Sequence, residues 1–381
     1  MLGICALMIF IKRSRDNHKI SLSAIFIPPS LFKGSLILWF LYSILALVSN
    51  LYSVSFMLTL VRSAQLFILI YIIAYMTDYE MGHPGVPQPM TIFIRGLELK
   101  FVFALSYILV DPSIVIKGNR LVGGEAGDLT ITSAILSVYY LNELLNANKP
   151  SNKLRYILCF GASIAVLFLT KTRVSIISSL FCLCILLVIY LKSRWISITI
   201  ILLGLSILVI TGYMEDIVFA IMREYQSIRT LSGRTIIWKF CIQQSKGLIF
   251  HGYGYASGAR YFLLNVFKDI ELARNPGDAH NAFFESLLNL GWVASIILAA
   301  STVIAFIEAI KLFFSTGSNK KEVVLISMCL ILVSLHNITT VGIAGHVNTI
   351  PILYTIILAG LQKLKKYNKN EKMLKAGEEQ L

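Results

Sequence analysis

The chain has 381 residues, of which 56% are hydrophobic and only 14% charged, and its mean hydropathy is +0.75. Soluble domains average ~45–50% apolar and ~25% charged residues, so a soluble enzyme, a disordered tail, a collagen and a disulfide scaffold are all excluded. The formal charge of +14 comes from 34 Lys and Arg against 20 Asp and Glu. In a soluble protein that excess would suggest nucleic-acid binding. In a membrane protein it marks cytoplasmic loops, and no nucleic-acid partner is expected.

In chain order, Met1–Ile11 is apolar but only ~16 Å long as a helix. It fits a shortened span or an interfacial segment. It lacks the basic start and small-residue cleavage site of a signal peptide. Ten long apolar segments follow, at roughly 33–48, 54–76, 96–110, 129–146, 156–171, 174–191, 196–212, 282–310, 323–336 and 348–362. Lipid offers no hydrogen-bond partners, so such segments must be helices or closed barrels. Period-two alternation is absent, which rejects the barrel. The expected fold is all-α: one polytopic bundle over residues 1–381 with ~10–12 spans of ~20 residues each.

Basic residues sort the loops. Lys12, Arg13, Arg15 and Lys19, then Lys149, Lys153 and Arg155, then Lys192 and Arg194, then Lys311, Lys320 and Lys321, and the six lysines from Lys363 to Lys375 all thread to one face. The other face carries only Lys117, Arg120, Lys171 and Arg173 in its short loops. The positive-inside rule places the first set, and with it the C-terminus, in the cytoplasm. Residues 213–281 are then a large outer loop. Five cysteines lie in apolar segments and Cys241 alone in that loop, so no disulfide framework is expected. The Cys182/Cys184 pair has no His or carboxylate near it and reads as packing. Zinc, P-loop and GxGxxG signatures are missing, which argues against an ATP-driven transporter.

The outer loop holds eight basic and six acidic residues among aromatic and apolar ones, without low-complexity bias, and should be folded. Helical spacing runs from Asp216 to Ser227. A second helix is predicted from about Arg234 to Ser245, with Ser232 as N-cap. Arg234 and Trp238 are four apart and share a face. Ile237, Phe240 and Cys241 form an apolar strip that could rest on the membrane surface or on the protein. His251-Gly-Tyr-Gly-Tyr-Ala-Ser-Gly258 follows, a glycine-rich turn that permits positive φ and close backbone approach to a ligand. The loop closes with Asn275-Pro-Gly-Asp-Ala-His-Asn281. Asp278 is expected to N-cap the helix that opens there. His280 should then fall in its first turn, at the positive end of the dipole, where the imidazole stays neutral and can accept a proton from a hydroxyl. A capping or hydrogen-bonding histidine at a span end is the plainer alternative. Arg173, in Thr170-Lys-Thr-Arg173, sits at an outer span end, where an arginine is usually paired or functional and can present its planar fork to phosphate oxygens. Arg120 and Arg62 are similar candidates, though either could simply be solvated or structurally paired.

These elements resemble a known family. Ser232-Gly-Arg-Thr-Ile-Ile-Trp238, His251-Gly-Tyr-Gly254, and His280-Asn281 followed by Gly291 are similar to the outer-loop motifs of bacterial O-antigen ligases and O-antigen polymerases. Thr170-Lys-Thr-Arg173 resembles the family's (S/T)R element, and Asn119-Arg120 to Gly124 its early outer loop. The resemblance implies glycosyl transfer from an undecaprenyl-diphosphate-linked glycan at the outer face of the inner membrane. The acceptor is then another lipid-linked repeat unit for a polymerase, or lipid A–core for a ligase. It implies His280 as the general base that activates the acceptor hydroxyl. Arg173, Arg234 and Arg120 are implied as diphosphate contacts, with Trp238, Gly252, Gly254, Asp278 and Asn281 in support. No cofactor and no metal are expected, since paired arginines can supply the leaving-group stabilisation. Expected partners are the donor, the acceptor, membrane lipids and other polysaccharide-assembly proteins. The Ser-Gly-Arg-Thr-Ile-Ile-Trp phrase leans toward the polymerase, with the ligase as alternative. A flippase is disfavoured because the charges gather in one outer loop rather than in pseudo-symmetric halves.

Overall fold

The computed structural model describes residues 28–83, 86–110, 116–117, 120–121, 129–191, 234–267, 278–315, 320–345 and 347–378. The expected span at 196–212, the helix at 216–227, Met1–Ile11 and Ser232 lie outside these residues. Twelve helices are described. They are α1 Gly34–Val48, α2 Phe56–Gly82, α3 Pro89–Val110, α4 Leu129–Leu145, α5 Pro150–Leu169, α6 Arg173–Tyr190, α7 Arg234–Gln244, α8 Gly258–Phe267, α9 Ala282–Leu290, α10 Trp292–Ser315, α11 Lys320–Thr339 and α12 Thr349–Glu378. A two-residue antiparallel pairing of Ile116–Lys117 with Arg120–Leu121 is the described strand content. The fold is all-α, as the sequence implies.

Five stretches are long and apolar enough to cross a membrane: Gly34–Tyr52, Phe56–Gly82, Pro150–Leu169, Trp292–Ser315 and Lys320–Thr339. Leu129–Leu145 and Val174–Tyr190 are apolar but shorter. Ten spans were expected; α3, with Arg95, Glu98 and Lys100 along it, and α12, with its run of lysines, are too charged to stand among the five. The span expected over 282–310 is not one helix. Gly291, at φ +89°, breaks it into α9 and α10. The new N-terminus is satisfied by the outer loop, because Leu248 and Ile249 carbonyls accept from Trp292 N–H (3.1 Å) and Val293 N–H (3.0 Å). Orphan amides at a helix start need such partners.

α10 packs on α1, α11 on α6, α12 on α2, and α4 on both α5 and α6. Several polar side chains buried in this bundle are paired across helices, which offsets their burial. Trp39 Nε1 donates to Thr355 Oγ1 at 2.9 Å. Glu308 accepts from Ser35 Oγ at 2.8 Å and from Gln362 Nε2 at 2.9 Å, and it pairs with Lys365. The up-and-down course brings the starts of α2, α4, α6 and α12 and the end of α11 to one face. The folded part of the outer loop sits on that same face.

Candidate active site

Residues 253–258 are tied to the α1–α2 connection by hydrogen bonds. Tyr253 O accepts from Val54 N–H at 2.9 Å, and Tyr255 N–H donates to Ser49 Oγ at 3.0 Å. Thr59 Oγ1 donates to Tyr255 O at 3.1 Å. Tyr255 is fully buried, and its hydroxyl donates to Gly345 O at 2.5 Å. The glycine-rich turn therefore packs against protein, with Ala256 on the lining of the cavity described below. Tyr253 N–H and Gly254 N–H donate to the last carbonyls of α9, Leu288 O and Asn289 O, at 3.0 and 2.9 Å. A Cβ on Gly252 would stand 2.5 Å from the Asn289 carbonyl carbon, and Gly254 holds φ +105°. Gly252 is required by this backbone-on-backbone contact, and Gly254 by its positive φ and by Ser53, with whose Oγ a Cβ would collide.

α7 confirms the expected helix and its apolar strip rests on protein. Ile237 and Cys241 are buried in a small cluster with Ala259, Leu263, Ala279 and Leu288. Trp238, on the next face, reaches the turn before α9. Its Nε1 donates to Ala279 O at 2.9 Å, and its ring stacks on Phe284 at 5.4 Å. Arg234, at the start of α7, is half-buried, and burial lowers its pKa.

The cap of α9 differs from expectation. Asn281, not Asp278, is the N-cap: its Oδ1 accepts from Phe283 N–H at 2.9 Å and Phe284 N–H at 3.2 Å. His280 accordingly precedes the helix instead of lying in its first turn, and it adopts φ +50°. A left-handed non-glycine residue costs about 1–3 kcal/mol and is kept where its surroundings enforce it. Those surroundings are visible. Trp238 holds the Ala279 carbonyl, and Glu285 Oε2 accepts from Ala279 N–H at 3.0 Å. Asn281 Nδ2 donates to Ile338 O at 3.1 Å, fixing the turn to the end of α11. Sequence reasoning missed Glu285. It is buried, with its pKa pushed up to about 8 by burial and then by Asp278, against the opposing hydrogen bonds from Ala279 and Asn289.

His280 opens on a cavity of about 460 Å³. Its wall takes Leu58 and Arg62 from α2, Thr130 and Ile131 from α4, Thr172 and Ser175 around the start of α6, and Arg260 from α8. Asp278, Glu285, His336, Thr340 and Asn348 complete its polar lining. Every helix here contributes the end that faces the outer loop. Two arginines stand on the wall, Arg62 and Arg260, and Arg234 is not among the described lining residues. Arg173 opens α6, directly after the lining Thr172. Arg120 lies in the short strand pairing, opposite Lys117. Sequence spacing could not have found Arg260 or Glu285, since the cavity is assembled from distant helix ends. His336-Asn337 repeats the His-Asn pair of 280–281, and that was the available signal for His336.

Trp238→Phe keeps the stacking on Phe284 but leaves the Ala279 carbonyl without its donor, an omission that costs ~1–3 kcal/mol. The expected outcome is a roughly tenfold lower turnover, the factor that ~1.4 kcal/mol represents, with little change in KM. A changed KM at constant turnover would show that Trp238 contacts substrate instead.

The apolar helical bundle, with five stretches long and apolar enough to cross a membrane, is that of a multi-pass membrane protein. Residues 158–299 match the family model described as O-antigen ligase, a stretch that runs from α5 to the first turns of α10. Over that stretch the chain is similar to the O-antigen ligase family. No curated protein sequence matches it.

Proposed function

We propose that this protein polymerises undecaprenyl-diphosphate-linked oligosaccharide repeat units into O-antigen, capsular or exopolysaccharide at the outer face of the inner membrane, its C-terminus lying in the cytoplasm. The observation that carries the reading is the His280 turn, held in a left-handed conformation by Trp238, Glu285 and Asn281 and opening on a cavity that also holds arginines. In the proposed step His280 takes the proton of the acceptor hydroxyl. The oxygen attacks the anomeric carbon of the donor glycan, and the bond from that carbon to the phosphate oxygen breaks. Undecaprenyl diphosphate leaves with the electron pair. Arg62 and Arg260 on the wall, with Arg173 and Arg234 supplied by the family resemblance, stabilise the charge on the leaving diphosphate. Fixed guanidinium charges can do this without a metal ion, and the protein is proposed to be metal-independent.

The matched family description favours a second reading, transfer of the glycan to lipid A–core. One assay separates the two. Purified protein is given a diphosphate-linked repeat unit alone, or with lipid A–core, each with and without a chelator. Ladder formation from the repeat unit alone supports the polymerase, and transfer only when lipid A–core is present supports the ligase. Loss of all transfer on chelation would overturn the metal-free mechanism.

A further inference from the structure

We propose that His336 and Ser175 form a saccharide subsite in this cavity, holding a hydroxyl group of the glycan beside the reacting carbon; this rests on the glycosyl-transfer reading above. His336 lies in the last turn of α11 and is 4% exposed, yet it lines the cavity. A histidine within an apolar helix is costly unless its ring nitrogens have partners, and such a residue is by default functional. Its Nε2 stands 3.1 Å from Ser175 Oγ. No hydrogen bond to Nδ1 is found among the described residues. The ring therefore keeps one polar atom for whatever enters the cavity.

The position of that ring is fixed. The His336 carbonyl accepts from Thr340 N–H at 2.8 Å and from Thr340 Oγ1 at 2.9 Å. The bond from Asn281 Nδ2 reaches Ile338 O, two residues beyond His336. The two histidines of the cavity thus sit on segments hydrogen-bonded to each other.

The chemistry of the pair itself suits a hydroxyl better than a phosphate. Two uncharged hydroxyls close to the pair in sequence, Thr172 on the approach to α6 and Thr340 after α11, line the same cavity. The arginines of the lining come from other elements, α2 and α8. A phosphate is drawn to guanidinium. A sugar hydroxyl, both donor and acceptor, matches a serine and an imidazole whichever tautomer is present.

The test measures binding in lipid nanodiscs of two probes, the diphosphate-linked repeat unit and undecaprenyl diphosphate without sugar. Thermal unfolding confirms that each variant is folded. His336→Ala is expected to weaken binding of the glycan-bearing lipid about tenfold, as loss of a ~1–1.5 kcal/mol hydrogen bond implies, with affinity for the bare carrier unchanged. His336→Gln should recover part of the loss. Should His336→Ala fail to fold, Ser175→Ala reads the same subsite. A weakened donor affinity assigns the hydroxyl to the donor glycan. An unchanged donor affinity with a raised KM for acceptor assigns it to the acceptor. Equal weakening of both lipids, or no change in donor affinity and acceptor KM, overturns the subsite. Glycan-dependent binding by a wild type that performs no transfer would sink the reaction and leave the subsite standing.

Discussion

His280→Ala is expected to lower glycan transfer by about 10²–10⁴-fold, the usual contribution of a general base. The fold and the affinity for the lipid-linked donor should be retained. Its backbone partners lie on either side of the imidazole: Ala279 is held by Trp238 and Glu285, and Asn281 caps α9 through its own side chain. Removing the ring leaves these bonds intact. His251→Ala provides the comparison. That ring packs edge-on against Tyr52 at 5.7 Å and is not among the described cavity-lining residues, so its variant should keep far more activity. Transfer measured as product formed per minute with purified protein checks both. Wild-type rates in His280→Ala would remove the residue from the chemistry.

The second large effect is on stability, at the opposite end of the bundle. Lys363 Nζ lies 2.8 Å from Glu80 Oε1 and 3.0 Å from Glu322 Oε1, joining α12, α2 and α11. Lys363 and Glu80 are 4% and 8% exposed. Lys363→Met would strand the Glu80 carboxylate without its counter-ion, and breaking a buried pair in this way costs ~3–5 kcal/mol. The Lys363→Met, Glu80→Gln double variant removes the more deeply buried of the two stranded charges, leaving Glu322 with its 30% exposed side chain, and should regain much of the loss. Thermal unfolding in the same detergent compares them. Equal melting of the single and double variants would show that the pair is not what holds these ends together.

How much of this was legible in the sequence follows from what each feature depends on. Helices depend on local hydropathy and backbone satisfaction, so α1, α4 and the loop helix α7 could be read nearly to their ends, while α2 continues past the expected Met76 to Gly82. The break at Gly291 could not. Hydropathy is continuous through it, and a single glycine in an apolar helix is ordinarily tolerated. Its cause is tertiary: the Leu248 and Ile249 carbonyls cap the new helix start. The cap of α9 was misplaced for a similar reason. Asp278 and Asn281 are both good caps, and Trp238 and Ile338, distant in sequence, select Asn281. His280 was legible as a candidate residue but its geometry was not, because nothing local announces φ +50°. Arg62 and Arg260 share a cavity wall across about two hundred residues of chain, a juxtaposition that no spacing encodes.

The central claim is that the cavity beneath the outer loop receives the lipid-linked diphosphate. Cryo-electron microscopy of the protein in nanodiscs loaded with undecaprenyl diphosphate tests it most directly. The account predicts diphosphate density inside the cavity between Arg62, Arg260 and His280, with the prenyl chain leaving toward lipid. Diphosphate density at the lysine-rich ends of α10 and α12 instead, with the His280 cavity empty, would contradict it.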